Sequence, residues 1–283
     1  MRKTSSLRRK TGVHTLRPVL LIPIAATVVV ALLMSLRESW SQVASGSAVL
    51  SREEASNAAN LPPPVKPAFV PGQPTFLQAS RDVARWAVVR TAVVARARPR
   101  PGAPMIARLE THTPEGTSNI VLVLANRVDK GGVLWIRVRL PVLGEPNTGW
   151  VPRKALGGYG SVATHLVIDL QSLRATLFRR GRPIFRADVG IGKPSWPTPR
   201  GEFYVRNKLT DFASPMYGPV AFGTSARSSV LTDWPAGGYV GIHGTDRPDL
   251  VPGRVSHGCI RLRNEDILRL ATLMPVGTPI TVR

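Results

Sequence analysis

Residues 255–263, Val-Ser-His-Gly-Cys-Ile-Arg-Leu-Arg, contain the single cysteine of this 283-residue chain. A lone cysteine can be a small buried hydrophobe, a metal ligand or a nucleophile. His257 stands two positions before Cys259, and His243 lies further upstream in Tyr-Val-Gly-Ile-His-Gly-Thr, residues 239–245. Because an imidazole within hydrogen-bond reach of a thiol can generate the thiolate, each histidine is a candidate base for a cysteine nucleophile.

The amino end of the sequence predicts the compartment. Residues 1–18 hold six basic and no acidic residues, and residues 19–36 follow without a charge. A run of this length that is apolar on every face predicts a transmembrane anchor, with the basic segment cytoplasmic and the rest outside. A cleaved signal peptide, with residues 46–48 as the cleavage site, and a buried core helix are the alternatives. An odd cysteine in an exported chain indicates a reactive thiol or an intermolecular disulfide.

Composition divides the remainder into a linker and two β-rich parts. Residues 37–74 are small, polar and then proline-rich, which predicts an extended spacer. Residues 75–158 contain β-branched runs separated by Asp-Lys-Gly-Gly at 129–132, which predicts a small all-β barrel. This part resembles bacterial SH3-like domains through Trp135, Gly149, Trp150 and Val151.

Residues 159–283 are predicted to form a second, mainly β domain with one short helix. Strand patterns recur, and a hairpin is predicted to turn at Arg180 and Gly181. The helix is predicted over residues 264–273, with Asn264 as its N-cap and acidic residues in its first turn.

Charge points to polyanionic partners. The formal net charge is +21, of which residues 75–158 carry +8 and residues 159–283 carry +7. Zinc-finger, RRM and basic-zipper patterns are absent, so nucleic acid is not expected. Anionic cell-wall polymers or lipid headgroups fit an exported basic chain better.

The motif Ile-His-Gly-Thr at 242–245, followed by Ser-His-Gly-Cys-Ile-Arg-Leu at 256–262, resembles the signature of the YkuD-type L,D-transpeptidases. Residues 189–203 also match that family's Thr-Pro-x-Gly-x-Phe segment. The resemblance implies a mostly β catalytic domain that cleaves the bond before the terminal D-Ala of a peptidoglycan stem tetrapeptide. It further implies transfer of the acyl group to an amine of another stem, which gives a 3→3 cross-link without a cofactor.

Carried onto this sequence, the resemblance makes Cys259 the nucleophile and His243 its base. The backbone carbonyl of Gly244 would orient the imidazole in place of a triad carboxylate. The remaining expected site residues are the backbone N–H groups of His257, Gly258 and Cys259 for the oxyanion, with Tyr239, Ser256 and Arg261 for the substrate.

Three alternatives remain open at the level of sequence, and the first concerns the acceptor of the acyl group. Water in place of the amine would give an L,D-carboxypeptidase, and a different amine could attach a protein to the wall. His243, His257 and Cys259 could instead hold a catalytic zinc, although their spacing is awkward and no His-Glu-x-x-His motif is present. The third alternative is a non-catalytic wall-binding protein that acts through the SH3-like part.

Overall fold

A computed structural model describes residues 75–76, 83–144, 147–210, 214–231 and 238–283. The predicted cytoplasmic segment 1–18, the transmembrane anchor 19–36 and the linker 37–74 lie outside these residues. Among the residues described, no helix is long and apolar enough to cross a membrane. The described chain is mainly β, with a single α-helix in these residues.

The first sheet is antiparallel and holds eight strands. Its path runs β4-β3-β7-β6-β5-β2-β8, and β1 pairs with β5 beside β2. Alternating side chains face a core that includes Val121, Ile136, Val138 and Val151. The strands are β1 (Thr75–Phe76), β2 (Ala84–Val89), β3 (Val93–Arg96), β4 (Met105–Leu109), β5 (Ile120–Val128), β6 (Leu134–Arg139), β7 (Thr148–Pro152) and β8 (Leu156–Val162).

The turn between β5 and β6 is built around Asp129. Its Oδ1 accepts hydrogen bonds from the amides of Gly131 and Val133, and its Oδ2 accepts one from Trp135 Nε1. Trp135 is buried, so this tryptophan packs inside the module. An SH3-like assignment of the first sheet stays a prediction.

The second sheet has ten strands in the order β11-β10-β9-β18-β13-β14-β15-β17-β12-β16. The last strand, β18, lies inside the sheet between β9 and β13, parallel to β9 and antiparallel to β13. The strands are β9 (Thr164–Asp169), β10 (Arg174–Arg179), β11 (Arg182–Asp188), β12 (Gly190–Gly192), β13 (Gly201–Leu209), β14 (Ala221–Arg227), β15 (Tyr239–His243), β16 (Gly253–Ser256), β17 (Ile260–Arg261) and β18 (Pro279–Val282).

The predicted hairpin and helix are both present, with one correction. The chain turns between β10 and β11 at Arg180 and Gly181, where φ is 50° and 76°. Helix α1 spans Asn264–Leu273 and buries Ile267 and Leu270. The prediction of Asn264 as the N-cap is wrong, because Arg263 occupies that position and makes no side-chain cap. Asn264 is the first helical residue, and its side chain binds elsewhere.

The two sheets belong to one compact unit. Strand β8 crosses the predicted boundary at residue 158 and pairs with β2, so the first sheet continues to Val162. The indole of Trp86 in β2 packs so closely over Gly277 that a β-carbon there would lie 2.3 Å from its Cδ1. The buried Tyr204 of β13 donates its hydroxyl to the carbonyl of Ile120, at 2.9 Å. Side-chain contacts therefore join the two sheets directly.

Candidate active site

The site forms where two parallel strands bring His243 and Cys259 together. Strands β15 and β17 pair with Ile242 opposite Ile260, and the N–H of Gly241 donates to Cys259 Sγ at 3.3 Å. A β-carbon on Gly241 would lie 3.8 Å from His243 Cδ2 and 3.9 Å from Cys259 Sγ, so both side chains flank this glycine. The pairing of these two strands thus brings together two residues that are sixteen positions apart in the sequence.

His243 is held in one tautomer. Its ring is buried, with 2% exposure, and Nδ1 lies 2.6 Å from the carbonyl oxygen of Gly244. Because a carbonyl only accepts, Nδ1 carries the proton and donates it to this bond. The neutral ring therefore keeps its basic lone pair on Nε2. The ring of Tyr217 meets the imidazole edge-on, with centroids 4.7 Å apart, a contact that no sequence pattern indicated.

Burial keeps both members of the pair uncharged. It lowers the pKa of His243 to about 4, and the positive charge of Arg261 lowers it further, against the Gly244 hydrogen bond that raises it. Burial raises the pKa of the Cys259 thiol, although the Gly241 N–H and Arg261 both favour the thiolate. At neutral pH the pair is a thiol beside a neutral imidazole, so the proton must move when the substrate binds or reacts.

The Ser-His-Gly-Cys turn is fixed by its own serine. The hydroxyl of Ser256, which has no exposed surface, donates to the carbonyl of Cys259 at 2.6 Å and accepts from the N–H of Gly258 at 3.0 Å. Two expectations change here. Ser256 uses its hydroxyl within the protein rather than presenting it to a substrate, and the Gly258 N–H is already bonded. Donation to the oxyanion by the N–H groups of His257 and Cys259 stays a prediction.

Thr198 braces this turn from the distant Thr-Pro-Arg-Gly segment. Its buried hydroxyl donates to the carbonyl of Gly258 at 2.8 Å and accepts from the N–H of Gly192 at 2.9 Å. Gly258 has φ of 118°, a conformation that disfavours any side chain. Thr198 was not among the site residues expected from the sequence. Its place in the family-like motif was the signal that could have marked it as part of the site.

Asn264 holds the other half of the site. Its Oδ1 accepts the N–H of Thr245 at 2.9 Å, and a β-carbon on Gly244 would lie only 2.3 Å from that oxygen. The carbonyl that orients His243 is therefore carried by a loop bonded to the first residue of α1. This contact explains why the asparagine side chain is not used as a helix cap.

A pocket opens over the pair, with an empty volume of about 480 Å³ that includes open solvent. It brings together most of the expected site residues, and Met216 and Tyr217, which the sequence did not single out, line it as well. The exposed His257 packs its ring on Trp196, with centroids 4.4 Å apart, whereas His243 is the buried histidine. Residues of the pocket wall include Met216, Tyr217, Tyr239, His257, Cys259 and Arg261.

The zinc alternative requires a cluster of metal ligands. In the part of the chain that the structure describes, no group of three or more His, Cys, Asp or Glu side chains is arranged to hold a metal ion.

Comparisons with known proteins match this region. A family model described as the YkuD L,D-transpeptidase catalytic domain matches residues 163–282. The Bacillus subtilis protein named L,D-transpeptidase YkuD is 30% identical over 122 residues, which cover 43% of this chain and 67% of that protein. The protein named L,D-transpeptidase YqjB of the same organism is 36% identical over 105 residues, covering 33% of this chain and 56% of that protein.

One solved structure is also similar to part of this chain. The catalytic domain of the E. faecium L,D-transpeptidase is 29% identical, with a TM-score of 0.33, and the match covers 42% of this chain and 96% of that one. On the sequence matches, the chain belongs to the YkuD family of L,D-transpeptidase catalytic domains.

Proposed function

We propose that this protein is a peptidoglycan L,D-transpeptidase in which Cys259 attacks the bond before the terminal D-Ala of a stem tetrapeptide. The observation that carries the proposal is the pairing of β15 with β17, which sets Cys259 beside a buried histidine whose Nδ1–H is bonded to Gly244. Membership of the L,D-transpeptidase family supports the same reaction.

The first half of the reaction forms a thioester. His243 Nε2 takes the thiol proton as Cys259 Sγ attacks the carbonyl carbon of the third stem residue, an L-centre. The N–H groups of His257 and Cys259 stabilise the oxyanion. When the tetrahedral intermediate collapses, the C–N bond to D-Ala breaks, and the leaving amine takes the proton from His243.

The second half transfers the acyl group to an acceptor. The side-chain amine of another stem attacks the thioester and gives its proton to His243. The thiolate then leaves and recovers that proton, so the enzyme returns to its starting state with a 3→3 cross-link formed. No cofactor enters either half. Such cross-linking would serve cell-wall biogenesis and cell shape.

The proposed location is outside the cytoplasm, where the substrate lies. Stem peptides are the proposed partners, and the net charges of +8 and +7 on residues 75–158 and 159–283 would favour anionic wall polymers. Binding of the protein to isolated wall material should then weaken as ionic strength rises, and binding that ignores salt would contradict this part of the proposal.

The experiment is mass spectrometry of the full-length protein incubated with a disaccharide tetrapeptide, with Cys259→Ala beside wild type. A dimer that lacks one D-Ala, formed by wild type alone, supports transpeptidation through Cys259. Tripeptide without dimer would replace the proposal with an L,D-carboxypeptidase. No product from wild type, together with no covalent adduct after incubation with a carbapenem, would overturn the enzymatic proposal.

His243→Ala and His257→Ala form a matched pair within this experiment. Loss of the buried His243 should remove product, whereas loss of the exposed His257 ring should leave part of the activity, because the proposed role of His257 rests on its backbone N–H. The reverse order would assign the base to His257.

A further inference from the structure

A tight turn of the first sheet reaches the second sheet at residues 113–117. Thr113 and Thr117 close the turn through an N–H···O bond of 2.8 Å, and Gly116 takes a φ of 81°. The turn follows β4 and precedes β5, so it belongs to the N-terminal module. Its tip carries Glu115, whose side chain is only 16% exposed.

Glu115 pairs with a buried arginine of the catalytic sheet. Its Oε1 accepts from Nη2 of Arg206 at 2.9 Å, and the Arg206 side chain is 1% exposed. Its Oε2 accepts from Nδ2 of Asn207 at 3.1 Å. Burial acts to raise the pKa of Glu115, but Arg206 and these hydrogen bonds outweigh it, so the pKa is lowered. A buried guanidinium left without its carboxylate is strongly unfavourable, so the two charges depend on each other.

Arg206 in turn contacts the wall of the active-site pocket. Its Nε donates to the carbonyl of Thr224 at 2.8 Å, which fixes the plane of the guanidinium. The Cζ atom lies 3.7 Å from the centroid of the Tyr239 ring, a close cation–π contact. Tyr239 lines the pocket and begins β15, the strand that ends at His243. A continuous set of contacts therefore runs from Glu115 through Arg206 to the pocket wall.

Other contacts also dock the two sheets. The Tyr204 hydroxyl and the Trp86 indole already join them through the bond to Ile120 and the packing on Gly277. Glu115 is bonded instead to Arg206, which lies closer to the Tyr239 ring than Arg227 does, at 3.7 Å against 5.0 Å. Its chemistry is suited to fixing the direction of the Arg206 guanidinium rather than to adding contact area.

We propose that Glu115 of the N-terminal module is a positioning residue for the catalytic pocket: through Arg206 it holds the ring of Tyr239 where the donor peptide binds. The β module is then a working part of the donor site. This inference rests on the proposed function, because it assigns Tyr239 to donor binding.

The test compares Glu115→Gln with a control of the same chemistry. Glu110→Gln removes a carboxylate from the same module, where Glu110 pairs with Arg108 and the two side chains are 58% and 62% exposed. In the full-length protein we expect Glu115→Gln to raise KM for the tetrapeptide donor by about 2- to 30-fold, with a much smaller change in kcat. The rate at which iodoacetamide alkylates Cys259 should be the same in Glu115→Gln as in wild type, because this small reagent does not depend on the Tyr239 ring for binding. Glu110→Gln should change none of these quantities.

A mutant cycle separates positioning from plain stability. Tyr239→Leu removes the ring that Arg206 stacks on, so Glu115→Gln should raise KM little further in that background. Additive effects on KM, or an unchanged KM in Glu115→Gln, would overturn the inference. If Glu115→Gln does not fold, Glu115→Asp decides, because it keeps the charge but withdraws it from Arg206 and should still raise KM.

Failure of the proposed function would be distinguishable. A wild type that forms no product from the tetrapeptide but is still acylated by a carbapenem refutes transpeptidation and keeps a reactive Cys259. The positioning role of Glu115 is then tested by the rate at which a carbapenem acylates Cys259. Glu115→Gln should slow this rate, and Glu110→Gln should not. Equal acylation rates in the two variants would overturn the positioning role of Glu115.

Discussion

Replacing Thr198 with valine removes one hydroxyl and keeps the shape of the side chain. Thr198 is 4% exposed. Its hydroxyl accepts a hydrogen bond from the N–H of Gly192 and donates one to the carbonyl of Gly258. Each buried polar group left unsatisfied costs about 1–3 kcal/mol, so Thr198→Val should lower the free energy of unfolding by about 2–6 kcal/mol. For a folded unit of this size, the melting temperature should fall by at least about 4 °C.

The same substitution should reduce catalysis beyond its effect on stability. Gly258 lies between the two residues whose N–H groups are proposed to hold the oxyanion, and its carbonyl would lose its donor. Small displacements of such groups cost large factors, so kcat/KM should fall about 10- to 100-fold at a temperature where the variant is folded. Thr198→Ser, which keeps the hydroxyl, should recover most of the activity.

Chemical denaturation and a transpeptidation assay on the same preparations measure both effects. Thr272→Val is the matched control, because the exposed Thr272 hydroxyl donates to the carbonyl of Arg269 at the end of α1. It should change stability by no more than about 0.5 kcal/mol. If Thr198→Val has the same free energy of unfolding and the same kcat/KM as Thr272→Val, the bracing of the Ser-His-Gly-Cys turn by Thr198 is refuted.

Three further predictions concern the charge and the support of the pair. In wild type, the acid limb of kcat/KM should have its midpoint near the His243 pKa of about 4, and a midpoint near 6.5 would contradict a buried neutral base. Arg261 carries a positive charge that disfavours the His243 imidazolium and favours the Cys259 thiolate. Arg261→Gln should therefore move both the acid limb of kcat/KM and the midpoint of Cys259 alkylation to higher pH. Movement of either to lower pH would contradict this effect of the Arg261 charge. Asn264→Ala leaves the buried N–H of Thr245 without its acceptor and should lower the free energy of unfolding, measured in urea, by about 1–3 kcal/mol. Asn264→Asp keeps an acceptor oxygen and should retain most of the wild-type stability. Equal losses in the two variants would exclude this hydrogen bond as the cause.

Local sequence patterns predicted the local elements well. The helix over residues 264–273 occurs with those bounds, and the hairpin turns at Arg180 and Gly181. Periodicity and turn chemistry act over a few residues, so one sequence is enough to see them. The resemblance of the Ser-His-Gly-Cys region also predicted the family that the comparisons show.

Supporting contacts were not predictable in the same way. Thr198 reaches Gly258 across 60 positions, and Arg206 meets Glu115 across 91. A strand pattern does not distinguish a buried arginine from an exposed one, because charged residues are rarely buried without a partner and the partner lies in another module. Asn264 shows the same limit: helix chemistry predicted a cap, but a loop amide 19 positions away uses the side chain.

The position of β18 has a consequence for how the chain acquires its structure. Residues 279–282 join the β11-β10-β9 hairpin layer to the strands that carry the active site, since β9 and β13 pair with β18 rather than with each other. A chain that emerges amino end first, from a ribosome or through a membrane, presents all the other strands before the one that unites them. Such long-range pairing is slow to form. The active site would therefore be completed late, after the residues of β18 have emerged.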